Sequence, residues 1–230
     1  MKTIGLLGGM SWESSVSYYQ ALNEGVKAAL GGWHSAKVIL HSVDFAQIQQ
    51  LQHVGDWDGA AAILIEAAKG LEQAGADYLL ICTNTMHKVA EQIQQQINIP
   101  ILHIADMTAQ QLVADNVKKV GLLGTAFTMS QDFYKAKLTR DFGIEVLVPS
   151  AEQQAVVHDI IYNELCLGEV KESSRAAYLS IIDELAANGA QAVILGCTEI
   201  ALLVEQQHTA VTLYDTTAIH AQAAVLKALS

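Results

Sequence analysis

Three phrases recur in the same order in the two halves of this chain. GLLGG at residues 5–9 returns as GLLGT at 121–125, GADYLLICTN at 75–84 as GAQAVILGCT at 189–198, and IADMTA at 104–109 as LYDTTA at 213–218. A single apolar-glycine phrase is common in parallel sheets, but three in one order mark an internal duplication. Each half should therefore build the same kind of unit. The expected lobes are residues 1–112 and 113–217, with a cleft between them and the last helix, 218–230, packing back on the first lobe.

Short apolar runs bounded by glycine or polar turns alternate with longer amphipathic stretches. TIGLLGG, KVILHSVDF, ADYLLICTNT, IPILHIAD, KVGLLGT, IEVLVPS, QAVILGCTE and AVTLYDT read as strands. Strands that alternate with helices imply an α/β fold with parallel sheets. Helical periodicity is clear in 59–74, where Ala60, Ile63, Leu64, Ala67, Ala68 and Leu71 share a face, and in 174–187 around Ala177, Ile181 and Leu185.

The bulk numbers narrow the function. With 230 residues, 51% of them hydrophobic, the chain can bury a large core. A net charge of −11 without a basic stripe argues against nucleic acid or an anionic membrane surface as partner, which leaves a small molecule. No apolar stretch reaches the length of a membrane-spanning helix. Three cysteines, at 82, 166 and 197, fit reduced thiols better than a disulfide framework, and so a cytoplasmic location. Eight histidines carry no HExxH or paired-cysteine spacing, so no metal is expected. GLLGGMSWES lacks both the Gly-Lys-Ser/Thr ending of a phosphate loop and the GxGxxG of a dinucleotide site.

The segment ICTNTMH, 81–87, offers Cys82 as an obvious nucleophile, and the repeat argues against it. Aligning Gly75-Ala76 with Gly189-Ala190 sets Thr83, not Cys82, opposite Cys197. Neighbouring side chains on a strand face opposite ways, so Cys82 and Thr83 cannot both look into the cleft. Cys82 then reads as a small buried residue. Ligands of open α/β sheets bind beyond the carboxyl ends of the strands, where both segments end. Two lobes that each present one reactive group to a shared carbon have the geometry of a racemase or epimerase. The Asn84 amide, the Thr85 and Thr198 hydroxyls and nearby backbone N–H groups can stabilise the resulting carbanion through its carboxylate. Glu199 is placed either to orient the Cys197 thiol or to cap a helix.

GLLGGMSWES, CTNTMH and GCTEI in this order resemble the aspartate/glutamate racemase family of cofactor-independent amino-acid racemases, closest to the enterobacterial subgroup specific for L-aspartate/glutamate or of broad specificity. The resemblance runs along nearly the whole chain. It implies two pseudo-symmetric Rossmann-like lobes, a homodimer, no pyridoxal phosphate, and an acid–base pair drawn from both lobes, here Thr83 and Cys197. It also places Met10 and Gln52 against the substrate and gives His87 a supporting role behind the first motif.

Two departures from the family pattern stand out. The first motif usually reads Cys-Asn-Thr-x-His, whereas Thr83 stands in the cysteine position here. A threonine hydroxyl can deliver a proton but is a poor base, so the two directions should differ in rate. Cys166 occupies the place where many aspartate racemases have a basic residue, and Gln52 is neutral, so a range broader than acidic amino acids comes into view. Two alternatives stay open: a non-catalytic binder of an amino acid or small carboxylate, and a decarboxylase or isomerase on the same fold.

Overall fold

The computed structural model describes residues 1–230. The chain forms two compact units, Met1–Ile104 together with His220–Ser230, and Ala105–Ile219. No helix is long and apolar enough to cross a membrane.

The first unit contains β1 (Ile4–Gly8), α1 (Trp12–Leu30), β2 (Val38–Ser42), α2 (Phe45–Val54), α3 (Trp57–Gln73), β3 (Tyr78–Ile81), a 3₁₀ turn (Thr85–Val89) and α4 (Ala90–Gln94). Its sheet has the order β2-β1-β3, all parallel. The run IPILHIAD, expected as a strand, is reduced to one parallel bridge between Ile101 and Leu79. The Leu79 N–H donates to the Pro100 carbonyl at 3.0 Å, and the Leu102 N–H to the Leu79 carbonyl at 2.9 Å.

The second unit begins within α5 (Ile104–Ala114) and continues through β4 (Lys119–Gly124), α6 (Ala126–Ser130), α7 (Asp132–Phe142), β5 (Glu145–Leu147), α8 (Ala151–Asn163), a 3₁₀ turn (Leu165–Leu167), α9 (Glu172–Ala187), β6 (Ala192–Gly196), α10 (Ile200–Leu203) and β7 (Thr212–Asp215). Helix α11 (Thr216–Leu229) returns the chain to the first unit. The second sheet has the order β5-β4-β6-β7, again all parallel. Within each unit the first strand thus lies between the second and third, and the fourth segment follows the third.

The helix that follows the fourth segment is grouped with the other unit in both halves. The expected boundary at 112 falls inside α5, which from Ala105 onward belongs with the second unit, while His220–Ser230 belongs with the first. Lys137 pairs with Asp106 of α5 at 3.0 Å. Ala221, Ala224, Val225 and Ala228 of α11 pack with Ile4, Leu6, Tyr18, Tyr78 and Leu80. The Tyr78 hydroxyl donates to the Ala224 carbonyl at 2.6 Å.

Because both faces of each sheet are covered, the central strands are apolar throughout rather than alternating with polar residues. Ile4 and Leu6 of β1, with Tyr78 and Leu80 of β3, face α1 and α11. Leu7, Leu79 and Ile81 face the opposite cluster with Leu64, Ala68 and Leu71 of α3. The helices start where the sequence supplies caps: Ser11 before α1, Asp44 before α2, Asp56 before α3, and a Ser150–Gln153 capping box before α8.

Gly9, immediately after β1, has φ +90°, and a Cβ there would collide with the backbone of Val43. Gly75 has φ +96° but open space around its missing side chain. Gly75→Ala should therefore cost about 1 kcal/mol of conformational strain, and Gly9→Ala roughly 2–4 kcal/mol because strain and collision add. Urea midpoints of the two variants compared with wild type check the difference.

Candidate active site

In the first unit the end of β3 is stapled to the turn after β1. The Cys82 N–H donates to the Leu7 carbonyl at 2.9 Å, and the Ser14 hydroxyl donates to the Cys82 carbonyl at 2.9 Å. The Gly9 N–H donates to Ser15 Oγ at 2.8 Å, and that hydroxyl donates to the Ser11 carbonyl at 3.0 Å. The hydroxyls of the SWESS segment thereby hold the loop from which Thr83 projects.

Cys82 itself is fully buried among Tyr78, Leu80, Leu6 and Tyr18. Its thiol reaches only the Leu80 carbonyl, at 3.9 Å, and burial pushes its pKa far up. Thr83, one residue on, is partly exposed. Asn84 and Thr85 are buried beside it at the start of the 3₁₀ turn. Gln52 joins this group from α2, with Nε2 2.9 Å from Met86 Sδ. Met10 is 3% exposed and packs in the cluster that contains Ile81 and Met86.

His87 ties the turn together. Its Nδ1 lies 2.8 Å from the Thr83 carbonyl, and its Nε2 lies 3.2 Å from the Ile104 N–H. A carbonyl can only accept and an amide N–H can only donate, which selects the neutral tautomer protonated on Nδ1. Burial, with His103 and His220 adding to it, lowers the His87 pKa well below its usual value. The ring centroids of His103 and His220 lie 4.5 and 6.0 Å from that of His87. Lys88, next in sequence, turns away and lies over the Trp57 ring at 3.9 Å.

In the second unit β6 ends at Gly196, and Cys197 continues the face that carries Val193 and Leu195. Cys197 is 8% exposed. Its thiol donates to Glu199 Oε2 at 2.9 Å, and the Thr198 hydroxyl donates to the same oxygen at 2.8 Å. Burial pushes the Cys197 pKa well up, and the neighbouring Glu199 carboxylate and Cys166 push it further. Cys166, in the 3₁₀ turn after α8, packs partly buried against this cluster. Tyr162 and Tyr178 close the surroundings, and their hydroxyl pKa values are raised chiefly by burial and then by Cys197. A cavity of about 220 Å³ beside Leu195, Ala201, Val204 and Leu213 in this unit is lined by none of the expected site residues.

The structure thus gathers Thr83, Asn84, Thr85, His87, Gln52 and Met10 in the first unit, and Cys197, Thr198, Glu199 and Cys166 in the second. Asp215 accepts from the Thr217 and Ala218 N–H groups at 2.8 and 3.3 Å, as a cap for α11. Neither arginine is poised for a ligand: Arg175 donates from Nε to the Leu203 carbonyl at 2.7 Å and pairs with Glu172, and Arg140 pairs with Asp141. No group of three His, Cys, Asp or Glu side chains is arranged to hold a metal ion. Sequence reasoning missed Ser14, Ser15, Tyr18 and His220. The hydroxyl run after Gly8-Gly9 could have signalled the serines; nothing local signals His220.

Two measurements test these environments. Glu199→Gln removes the negative charge that raises the Cys197 pKa and introduces an N–H donor, so alkylation of Cys197 at neutral pH should speed up about tenfold for each unit the pKa falls. Cys82 should stay unreactive until the protein unfolds. Separately, burial lowers the His220 pKa from 6.5 to about 4. A base whose pKa is depressed in the fold leaves the native state binding fewer protons than the unfolded chain, so stability is greatest above pH 6.5 and falls as pH drops toward 4. For His220 alone that loss amounts to roughly 3 kcal/mol. Urea titrations across this range should show the slope, diminished by about one proton in His220→Gln.

Known proteins share this sequence pattern and this fold. The model of the family described as Asp/Glu/Hydantoin racemase matches residues 7–224. The crystal structure of a candidate Asp/Glu racemase from Yersinia pestis is 54% identical, covers 100% of both chains and superposes with a TM-score of 0.92. That of an aspartate racemase homologue from Pyrococcus horikoshii OT3 is 34% identical over 100% of both chains, with a TM-score of 0.86. The broad specificity amino-acid racemase RacX of Bacillus subtilis (strain 168) is 27% identical over 175 residues, 74% of this chain and 73% of its own length.

Proposed function

Because the chain belongs to the Asp/Glu/hydantoin racemase family, and is thereby an isomerase of the amino-acid racemase type, we propose that it inverts the α-carbon of an amino acid without pyridoxal phosphate, using Cys197 on one side and Thr83 on the other. The observation that carries the reading is positional. Thr83 follows the third strand of one sheet and Cys197 the third strand of another whose first three strands have the same order, and each shares the parity of corresponding strand residues, Leu79 and Ile81 in one case, Val193 and Leu195 in the other. The reading requires these two half-sites to meet one α-carbon.

The resting thiol of Cys197 gives its proton to the Glu199 carboxylate to which it already donates. The substrate's ammonium group favours the resulting thiolate by opposing the charge that raises its pKa. A thiolate of high pKa is a strong base once formed, and it takes the α-proton of the L-enantiomer. Asn84, Thr85 and Thr198 donate to the substrate carboxylate, which spreads the carbanion's charge. Thr83, or a water held by it, delivers a proton to the opposite face, and the proton parked on Glu199 returns to the Thr83 side through solvent. The reverse direction needs a threonine alkoxide as base, which is far less accessible than a thiolate.

The neutral Cys166 and Gln52, and the engagement of both arginines elsewhere, support a substrate range wider than aspartate and glutamate. A dicarboxylic side chain is held best by a guanidinium fork, and both guanidinium groups of this chain already have partners of their own. We further read the protein as a cytoplasmic homodimer that acts on free amino acids.

The test is incubation with single-enantiomer amino acids in deuterium oxide, with chirality and α-deuterium both recorded. Cys197→Ala and Cys197→Ser should lower exchange by at least about a hundredfold for every substrate, while Cys82→Ala keeps most of it. Thr83→Cys should raise the rate from the D-enantiomer by about tenfold or more. The final mixture stays racemic in every active variant. Near-normal exchange without the Cys197 thiol sinks the reading, as does equal turnover of both enantiomers that Thr83→Cys leaves unchanged.

A further inference from the structure

Two imidazoles in the first unit are each held by one donor and one acceptor, and both grip the segment by which the chain leaves that unit. His87 joins the Thr83 carbonyl to the Ile104 N–H. His220, the first residue of α11 to belong to this unit, has Nε2 2.7 Å from the Leu102 carbonyl and Nδ1 2.7 Å from the Tyr18 hydroxyl. The carbonyl takes the Nε2 proton, so the Tyr18 hydroxyl donates to Nδ1. The 102–104 segment is therefore clamped at both of its ends, and His103 between them lies against His87 with ring centroids 4.5 Å apart.

Resting on the reading of Thr83 as the first-unit proton donor, we propose that His220 is a positioning residue for Thr83, acting through the Leu102–Ile104 segment and His87. The path is a chain of contacts: Tyr18 hydroxyl, His220, Leu102 carbonyl, Ile104 N–H, His87, Thr83 carbonyl. Each imidazole is rigid, buried and fully engaged, so a shift of the segment at Leu102 changes where the Thr83 loop sits. Proton delivery to a carbanion is sensitive to such shifts, since a displacement of about 1 Å can cost on the order of a hundredfold in rate. Cys197 lies in the other unit and makes none of these contacts. His220 should therefore govern the second half of the reaction and leave the first untouched.

The groups that face these rings are His103 and His220 toward His87, and Tyr18 and His87 toward His220. Burial keeps the His87 and His220 rings neutral, so the clamp acts by geometry rather than by adding charge to the reacting centre.

The experiment is a partition measurement with L-substrate in deuterium oxide. Every carbanion left when Cys197 removes the α-proton ends either as L-amino acid, returned by Cys197 and deuterated once its thiol has exchanged, or as deuterated D-amino acid, completed from the Thr83 side. With L-side wash-in unchanged, a change in the ratio of D to L deuterated product reports delivery from the Thr83 side. His220→Leu should lower that ratio on the order of tenfold, with L-side wash-in of deuterium within about twofold of wild type. His220→Gln, which keeps an N–H for the Leu102 carbonyl, should recover most of it. Tyr18→Phe keeps the ring but removes the donor to Nδ1, and should lower the ratio to an intermediate value; it also decides the matter if His220→Leu does not fold. An unchanged ratio in these variants, or a parallel loss of wash-in and inversion, overturns the positioning role. If instead Thr83→Ala leaves the ratio unchanged, the reading of Thr83 on which the proposal rests is the one that fails.

Discussion

A strand buried on both faces hands its side chains to two sides in turn, and the assignment of the reactive groups hangs on that alternation. On β3, Tyr78, Leu80 and Cys82 fall toward α1 and α11, while Leu79 and Ile81 fall toward α3. Cys82 is thus committed to the core by the same parity that commits Tyr78, whatever the reactivity of an isolated thiol. On β6 the same parity holds with different residue types: Val193, Leu195 and Cys197 share a face, and Gly196 occupies the position that Cys82 fills in the first half. A Cβ at Gly196 would meet the Leu123 carbonyl at 2.7 Å, so this position admits no side chain in the second unit.

Charge is distributed unequally between the two half-sites. Cys197 sits with a carboxylate that accepts from its thiol and from Thr198, in surroundings dry enough to disfavour further negative charge. The resting thiol is protonated, and in the proposed reaction the substrate's α-ammonium group supplies the opposing charge. The hydrogen bonds around Thr83 are made by hydroxyls, amides and an imidazole held neutral. The proposed division of labour, abstraction by Cys197 and delivery from the Thr83 side, puts the burden of forming an anion on sulfur.

Rigidity behind Thr83 comes from hydrogen bonds rather than from packing alone. Ser14, Ser15 and His87 fix the backbone around the end of β3, and His220 with Tyr18 fixes the segment that follows Leu79's bridge to Ile101. Buried polar groups of this kind are favourable only when fully satisfied, because an unpaired one forfeits its hydration without return. Both imidazoles meet that condition.

Much of this was legible in the residues. The repeated phrases required two similar units, the apolar runs required parallel sheets covered on both faces, and strand parity applied to the repeat ranked Thr83 and Cys197 above Cys82. The motif around Cys197 already contained its partner, because Glu199 lies only two residues away and a tight turn brings it back. Other features depended on groups far apart in the chain. His220 meets Tyr18 across 202 residues and Leu102 across 118, and no local pattern encodes such a meeting. The grouping of α5 with the second unit, the reduction of IPILHIAD to a single bridge, and the raised Cys197 pKa were likewise settled only by tertiary structure. Periodicity and turn chemistry act over a few residues and can be read along the chain, whereas burial and hydrogen-bond pairing depend on which distant surfaces the fold brings into contact.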